Sequence, residues 1–345
     1  MHTGVVLLNF GEPARATLEE VVPFLERIFL ANAGLEGAAS PEAVGARCRQ
    51  LAERRAPQLI EEYEAIGGSS LNAQSEAQAR MLVGELAGRG MAARAYIANQ
   101  FADPLIPDIL ARARSDGVER LVALPVYPLC GPSTNVAALA QLRAALDAAR
   151  WDVPLTEISG WHRHPGYVEL RAEGIRRTVA EARLDLASAR VRLVFSAHGT
   201  PLKYIEDGSR YGRYTDEHCA EVAARAGTER FALGFQNHGN RPIEWTQPSI
   251  DRVIEEIAAE AVVVVPISFM HEQSETLSEL DIELRHVAET RSMEFHRVPI
   301  PHDDPRFGAI LADLVQSVLA EGTGPLPLYP CRCRPTAATW CTNGR

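Results

Sequence analysis

An unbroken β-branched run, Val262 to Val265, closed by Pro266, is the tightest constraint on how this chain can fold. Such a run has no polar face to turn to water. It fits a strand covered on both sides, as in a parallel sheet flanked by helices. A short turn with Phe269 and His271 follows, and then carboxylates at Glu272, Glu275, Glu279 and Glu283. The last three are spaced i, i+4, i+8, which predicts one helix face bearing a column of like charges. Each such pair costs about 0.2–0.5 kcal/mol unless something positive lies near. A column leading from the carboxyl end of a buried strand reads as a route for cations or protons. A solvated helix face with Arg285 as partial counterion accounts for the same residues.

The rest of the chain alternates strand and helix in the same way. Strands are expected at Gly4–Phe10, Ala92–Ala98, Leu121–Val126, Leu155–Ser159, Val191–Phe195, Phe231–Gly234 and Glu294–Val298. Thr17 with Glu20 predicts a capping box. The charged stretch Pro41–Ile66 reads as helical, interrupted at Pro57 and stopped at Gly67-Gly68. VVLLNFGEP echoes LVFSAHGTP at Leu193–Pro201, and LVALPVYP at Leu121–Pro128 echoes VVVVPISF, which predicts an internal duplication. The expected class is α/β: two Rossmann-like, doubly wound halves, each on a parallel four-stranded sheet, facing one cleft. The halves are 1–155 and 156–322, followed by a Cys-rich tail, 323–345.

With a formal net charge of -10 and no Lys/Arg-rich run, the chain is not expected to bind nucleic acid. No apolar stretch reaches the roughly 18 residues of a membrane span, and the N-terminus runs straight into a strand, so a cytoplasmic protein, peripheral at most, is expected. Of the six cysteines, Cys331, Cys333 and Cys341 crowd the tail, a pattern of metal ligation rather than of a secreted disulfide framework. G-x-G-x-x-G, Walker A and G-x-S-x-G motifs are absent. In doubly wound sheets function gathers where loops leave the carboxyl ends of strands. Here those loops are Asn9–Pro13, Tyr127–Thr134, Ser196–Pro201 and Ile267–Glu275. His198 in the third matches Glu275 in the fourth. An imidazole with a carboxylate suits metal binding or proton transfer, a capping histidine being the plainer alternative.

SAHGTP at Ser196–Pro201, FQNHGNRPIEW at Phe235–Trp245 and PISFMHEQSETLSELDIE at Pro266–Glu283 resemble the ferrochelatase family in its bacterial form. So do LLNFGEP, ERRAPQLIEEYEAIGGSS at Glu53–Ser70, YPLCGPST at Tyr127–Thr134 and GWHRHPGY at Gly160–Tyr167. The resemblance implies a porphyrin cleft between the halves and insertion of Fe2+ into protoporphyrin IX, with coproporphyrin III as the alternative substrate. It implies His198 and Glu275 as catalytic residues that also hold the substrate Fe2+. Glu272, Glu279 and Glu283 follow as the acidic path, and Phe10, Tyr127, Trp245 and Phe269 as the porphyrin pocket. Arg27 and the stretch Arg47–Arg55 are candidates for the substrate carboxylates. Two positions depart from the family: Gln273 stands where relatives carry a histidine, with His271 as a possible substitute, and Gln100 replaces a basic residue.

The tail resembles the extension that binds a [2Fe-2S] cluster in some ferrochelatases, implying Cys130, Cys331, Cys333 and Cys341 as ligands, although Cys130 precedes the family position, Pro132, by two residues. Zinc or free thiols are the alternatives. Phe24–Leu35 resembles an apolar lip through which relatives meet the bilayer, and a core helix explains it equally. A porphyrin or haem carrier or iron sensor without turnover is the rival reading from another class, and a cobalt or nickel chelatase the rival among enzymes.

Overall fold

The computed structural model describes residues 2–35, 40–237, 243–320, 324–331, 333 and 339–343. In the first sheet β1 (Thr3–Asn9) lies between β2 (Ala93–Asn99) and β3 (Arg120–Pro125), with β4 (Leu155–Ile158) beyond β3. In the second, β5 (Val191–His198) lies between β6 (Phe231–Gln236) and β7 (Ala261–Pro266), with β8 (Glu294–Arg297) beyond β7. These eight strands all pair in parallel. The two sheets share one strand order, and the sequence echoes fall on equivalent strands, β1 with β5 and β3 with β7.

The β-branched run is buried at every position of β7. Alternate residues feed different cores, Val263 and Val265 on one face, Val262 and Val264 on the other. β1 divides likewise, Val5 and Leu7 to one core and Val6 and Leu8 to another. Period-two alternation thus explains why neither strand has a polar face, and each buried valine contributes about 1.5–3 kcal/mol.

Two expectations about the halves are corrected. The first sheet has six strands rather than four, because the tail adds β9 (Tyr329–Pro330) and β10 (Thr339–Cys341) to its edge. β10 runs parallel to β4, pairing Thr339 with Glu157 and Trp340 with Ile158. A naked β4 edge would expose unpaired peptide groups, and the tail covers it. The fully buried Glu157 is neutralised there by Arg143 and hydrogen-bonded by the Thr339 hydroxyl. Second, helix Pro305–Leu319 does not stay with the half that precedes it. Its Phe307, Ile310, Leu311 and Leu314 complete the core of Val5, Leu7, Leu82 and Leu86 in the first half.

Locally, Pro57 does not break helix Pro41–Ala65. Packing of Ala52, Ala56, Leu59 and Tyr63 against helix Leu18–Ala31 offsets a proline penalty of about 3 kcal/mol. The Thr17 capping box does not form, because Glu20 turns back to Arg15. Among the described residues no helix is long and apolar enough to cross a membrane.

Candidate functional site

A cleft of about 1160 Å3, its mouth included, opens between the halves at the carboxyl ends of the central strands. Phe10, Phe24, Leu25 and Phe29 form one apolar wall, and Ile243 and Trp245 stand on the other. Phe10 is wedged against Phe101 and Phe24, with ring centroids 4.6 and 6.2 Å away.

His198 ends β5 and lines this cleft. Its backbone N–H donates to the Ser268 hydroxyl at 2.8 Å, and its Nδ1 lies 2.6 Å from the Gly199 carbonyl. A carbonyl only accepts, so Nδ1 carries the proton and Nε2 is the lone-pair nitrogen. Gly199 is required by crowding: a Cβ there would lie 1.9 Å from Asn237 Oδ1. Phe269 is buried behind the imidazole, 6.1 Å between centroids, and braces it rather than lining the cleft. Glu275 leaves the next strand exit, after β7, so both residues issue from the same half. Its Oε2 accepts from Gln273 Nε2 at 2.7 Å and from the Ser274 hydroxyl at 3.0 Å. Gln273 also caps the short helix Ser274–Leu277, exchanging bonds with Thr276. Gln273 is thus a fixed amide that orients Glu275.

The carboxylate column does not run down an α-helix. One α turn, Ser274–Leu277, passes into a π-helical turn, Glu279–Leu284, before α geometry resumes at Arg285. Widened turns of this kind gather at functional sites. Glu275 and Glu279 line the cleft, and Glu283 is exposed, within reach of the charges of Glu62, Asp251 and Arg55. Burial, then the Glu275 charge, pushes the Glu279 carboxyl up to about 8, opposed by a 2.8 Å bond from Gln236 Nε2. Arg285 is not the counterion of the column; it stacks on Phe295 and bonds the Asp281 carbonyl.

Glu272 does not join the path. Arg297 Nη1 holds its Oε1 at 2.9 Å, the Ile300 N–H donates to the same oxygen, and Thr276 binds the other, away from the cleft. Tyr127 is half-buried and is not among the lining residues; its hydroxyl accepts from the Phe10 N–H. Gln100 is buried and does not line the cleft, and Arg27 is spent on the Phe101 carbonyl. His271 cannot substitute for the missing histidine. It is buried, its pKa is driven down to about 3 by burial, and its Nε2 lies 2.9 Å from Gln78 Oε1.

The sequence reading missed Glu12. It follows Gly11, whose φ of +83° suits glycine, in the strand exit Asn9–Pro13, and no spacing pattern marks it out. Glu12 is buried in the cleft, bonded by Ser69 and by the Ser274 hydroxyl at 3.0 Å, and Tyr63 lies beside it. Burial, then the charge of Glu275, pushes it up to about 7. Among the described lining residues Arg55 is the single arginine or lysine, bound through both oxygens of Glu62 at 2.9 and 3.0 Å.

In the tail Cys331 and Cys341 are buried and hydrogen-bonded thiol to thiol; Cys130 acts on Cys341 through charge and is bonded to Ser159 at 3.1 Å. That bond and burial push the Cys341 thiol up. Cys333 is exposed and lies 3.4 Å from the Tyr214 hydroxyl. A [2Fe-2S] cluster needs four thiolates, and no group of three or more His, Cys, Asp or Glu among the described residues is arranged to hold a metal. The fit is therefore incomplete, with two thiols in contact, Cys130 bonded to Ser159 and Cys333 turned to Tyr214.

Comparison with known proteins adds the following. The sequence model of the family described as Ferrochelatase matches residues 2–319. A curated ferrochelatase of Synechococcus sp. (strain RCC307) is 36% identical over 328 residues, covering 92% of this chain and 83% of the relative. One of Geotalea daltonii is 33% identical over 326 residues, covering 93% and 99%. Among solved structures, SirB from Bacillus subtilis with Fe3+ superposes with a TM-score of 0.52 at 10% identity, covering 94% of this chain and 99% of that one, a likeness of fold.

Proposed function

The chain belongs to the ferrochelatase family, a porphyrin metal chelatase and lyase of haem biosynthesis, and from that premise we propose which residues perform the insertion and on which porphyrin. Insertion of Fe2+ exchanges two pyrrole N–H protons for one metal ion, so the cleft must accept protons and hold iron while water is kept out. We assign the first proton to His198 Nε2, the lone-pair nitrogen left by the Nδ1 bond. Glu275, oriented by Gln273 and Ser274, faces the same space and shares the iron and proton load. Glu279 and Glu283 form the path onward, and Glu272 serves as a structural ion pair.

The observation that carries this reading is the pairing of His198 with Glu275 on adjacent strand exits in an apolar cleft. The same walls favour protoporphyrin IX over coproporphyrin III. Aromatic and aliphatic side chains suit its apolar substituents, and among the described lining residues the single guanidinium, Arg55, suits two carboxylates better than four. Helix Leu18–Ala31, which supplies Phe24, Leu25 and Phe29, also exposes Leu18 and Leu30, which supports peripheral contact with a bilayer that holds an apolar porphyrin. The finer reading of the tail is a [2Fe-2S] cluster on Cys130, Cys331, Cys333 and Cys341. The contact between the Cys331 and Cys341 thiols supports it, and Cys130 must leave Ser159 and Cys333 must leave Tyr214 to complete it.

Anaerobic Fe2+ insertion into protoporphyrin IX and coproporphyrin III, followed by loss of porphyrin fluorescence, tests the site. Turnover of protoporphyrin IX is expected to fall by about 10²-fold or more in His198→Ala. Tight porphyrin binding without turnover of either substrate by the wild type would favour the carrier reading. Visible absorption with iron and sulfide analysis of the anaerobic protein tests the cluster.

A further inference from the structure

The loop that delivers Glu275 belongs to the second half, yet its backbone is gripped by the first. Helix Leu71–Gly88 is preceded by Ser70 and carries Gln74 and Gln78, so that polar side chains spaced i, i+4, i+8 stack on one face. Gln78 Nε2 donates to the Met270 carbonyl at 3.0 Å, and its Oε1 lies 2.9 Å from His271 Nε2. Gln74 Oε1 accepts from the Glu272 N–H at 2.8 Å. The Ser70 hydroxyl donates to the Glu272 carbonyl at 2.6 Å and accepts from Gln74 Nε2 at 2.8 Å. Gln74 and Gln78 are both buried.

Glu272 thus has its N–H and its C=O satisfied from a single helix face. A slip of the loop by one residue, or a roll about its axis, would strand buried donors and acceptors on both partners. Beyond Glu272 the chain goes directly into the Gln273 cap and the turn that sets Glu275 in the cleft. Apolar side chains would pack the two elements together equally well, but they would leave the register of the loop unspecified.

We propose that Gln74 and Gln78 are positioning residues for iron insertion, fixing from the first half the register of the loop that places Glu275 in the cleft. The proposal rests on the assignment of Glu275 as a catalytic residue.

Gln74→Leu keeps the bulk and removes the acceptor of the Glu272 amide. Amide hydrogen exchange of the segment 267–277 is measured by mass spectrometry, alongside steady-state insertion of Fe2+ into protoporphyrin IX. Exchange of the loop is expected to rise about tenfold and kcat to fall about tenfold, while the porphyrin KM changes by less than about twofold. Gln74→Glu retains the accepting oxygen and is expected to recover most of kcat. A variant that merely loosened the fold would not show this split between kcat and KM, nor the rescue. If Gln74→Leu does not fold, Ser70→Ala, at the less buried end of the same face, is read by the same two measurements. Wild-type exchange in the loop overturns the proposal, and so does a loosened loop with wild-type kcat. Full turnover by Glu275→Gln would instead overturn the role of Glu275 and leave the exchange result standing.

Discussion

Glu12 and Glu279 are buried acids whose protonated forms the fold favours, with pKa values raised from the ordinary 4.5 to about 7 and about 8. The folded chain therefore binds more protons than the unfolded chain between about pH 4.5 and 8. The resulting stability is complete below the unfolded value and is lost as pH rises through 7 to 8. Melting temperature is expected to decline from pH 5 to pH 9, and Glu279→Gln, whose amide oxygen can still accept from Gln236, is expected to flatten that decline. Parallel curves for the two proteins would contradict it. Arg297 is the opposite case, a nearly buried cation holding Glu272 and Asp281. Arg297→Ala leaves Glu272 without a cation and Asp281 with Arg285 alone, at 3.6 Å, and is expected to cost about 3–5 kcal/mol in urea unfolding. Sequence reasoning finds His198 and Glu275 because a strand exit is visible in a sequence. It misses Glu12 because a buried acid beside a turn glycine looks like any turn residue. Of its aromatic candidates Phe10 and Trp245 line the cleft while Tyr127 and Phe269 do not, since an aromatic side chain carries no sign of whether it lines a wall or props it.

At the scale of elements, the eight main strands are legible from their apolar runs, and the equivalence of β1 with β5 and of β3 with β7 from the echoes between the halves. The tail strands are not. β9 and β10 are two and three residues long, and their pairing comes from the open edge of β4 rather than from their own composition. Truncation after Gly324 is expected to uncover that edge and remove the Thr339 bond to Glu157. Light scattering should then report concentration-dependent oligomers absent from the full chain. A truncated protein that stays in its native assembly state would show that β4 is protected in some other way. The turn from α to π geometry at Glu279 was equally hidden. The i, i+4, i+8 spacing is that of an α-helix, and the widened turn depends on how Leu280 and Leu284 seat in the core beneath it.

At the scale of the molecule, the two halves repeat one strand order but do not stand as independent units. Helix Pro305–Leu319 crosses back to fill the first core, and helix Leu71–Gly88 beneath it grips the Glu275 loop. Leu311→Ala, at the centre of that shared core and fully buried, is expected to cost about 2–5 kcal/mol and to lower the unfolding midpoint of both halves together. Two separate transitions would show that the cores are uncoupled. The duplication is readable in sequence because each half keeps its own strands. The crossing is not, since an amphipathic helix does not say which sheet it will cover. The crossing also bears on how the chain is made. Synthesis runs from the amino end, and the segment that closes the first core emerges nearly last. Until Phe307 and Leu311 are free to dock, a growing chain holds Leu82 and Leu86 without their cover, so the half that is translated first is the half that finishes folding second.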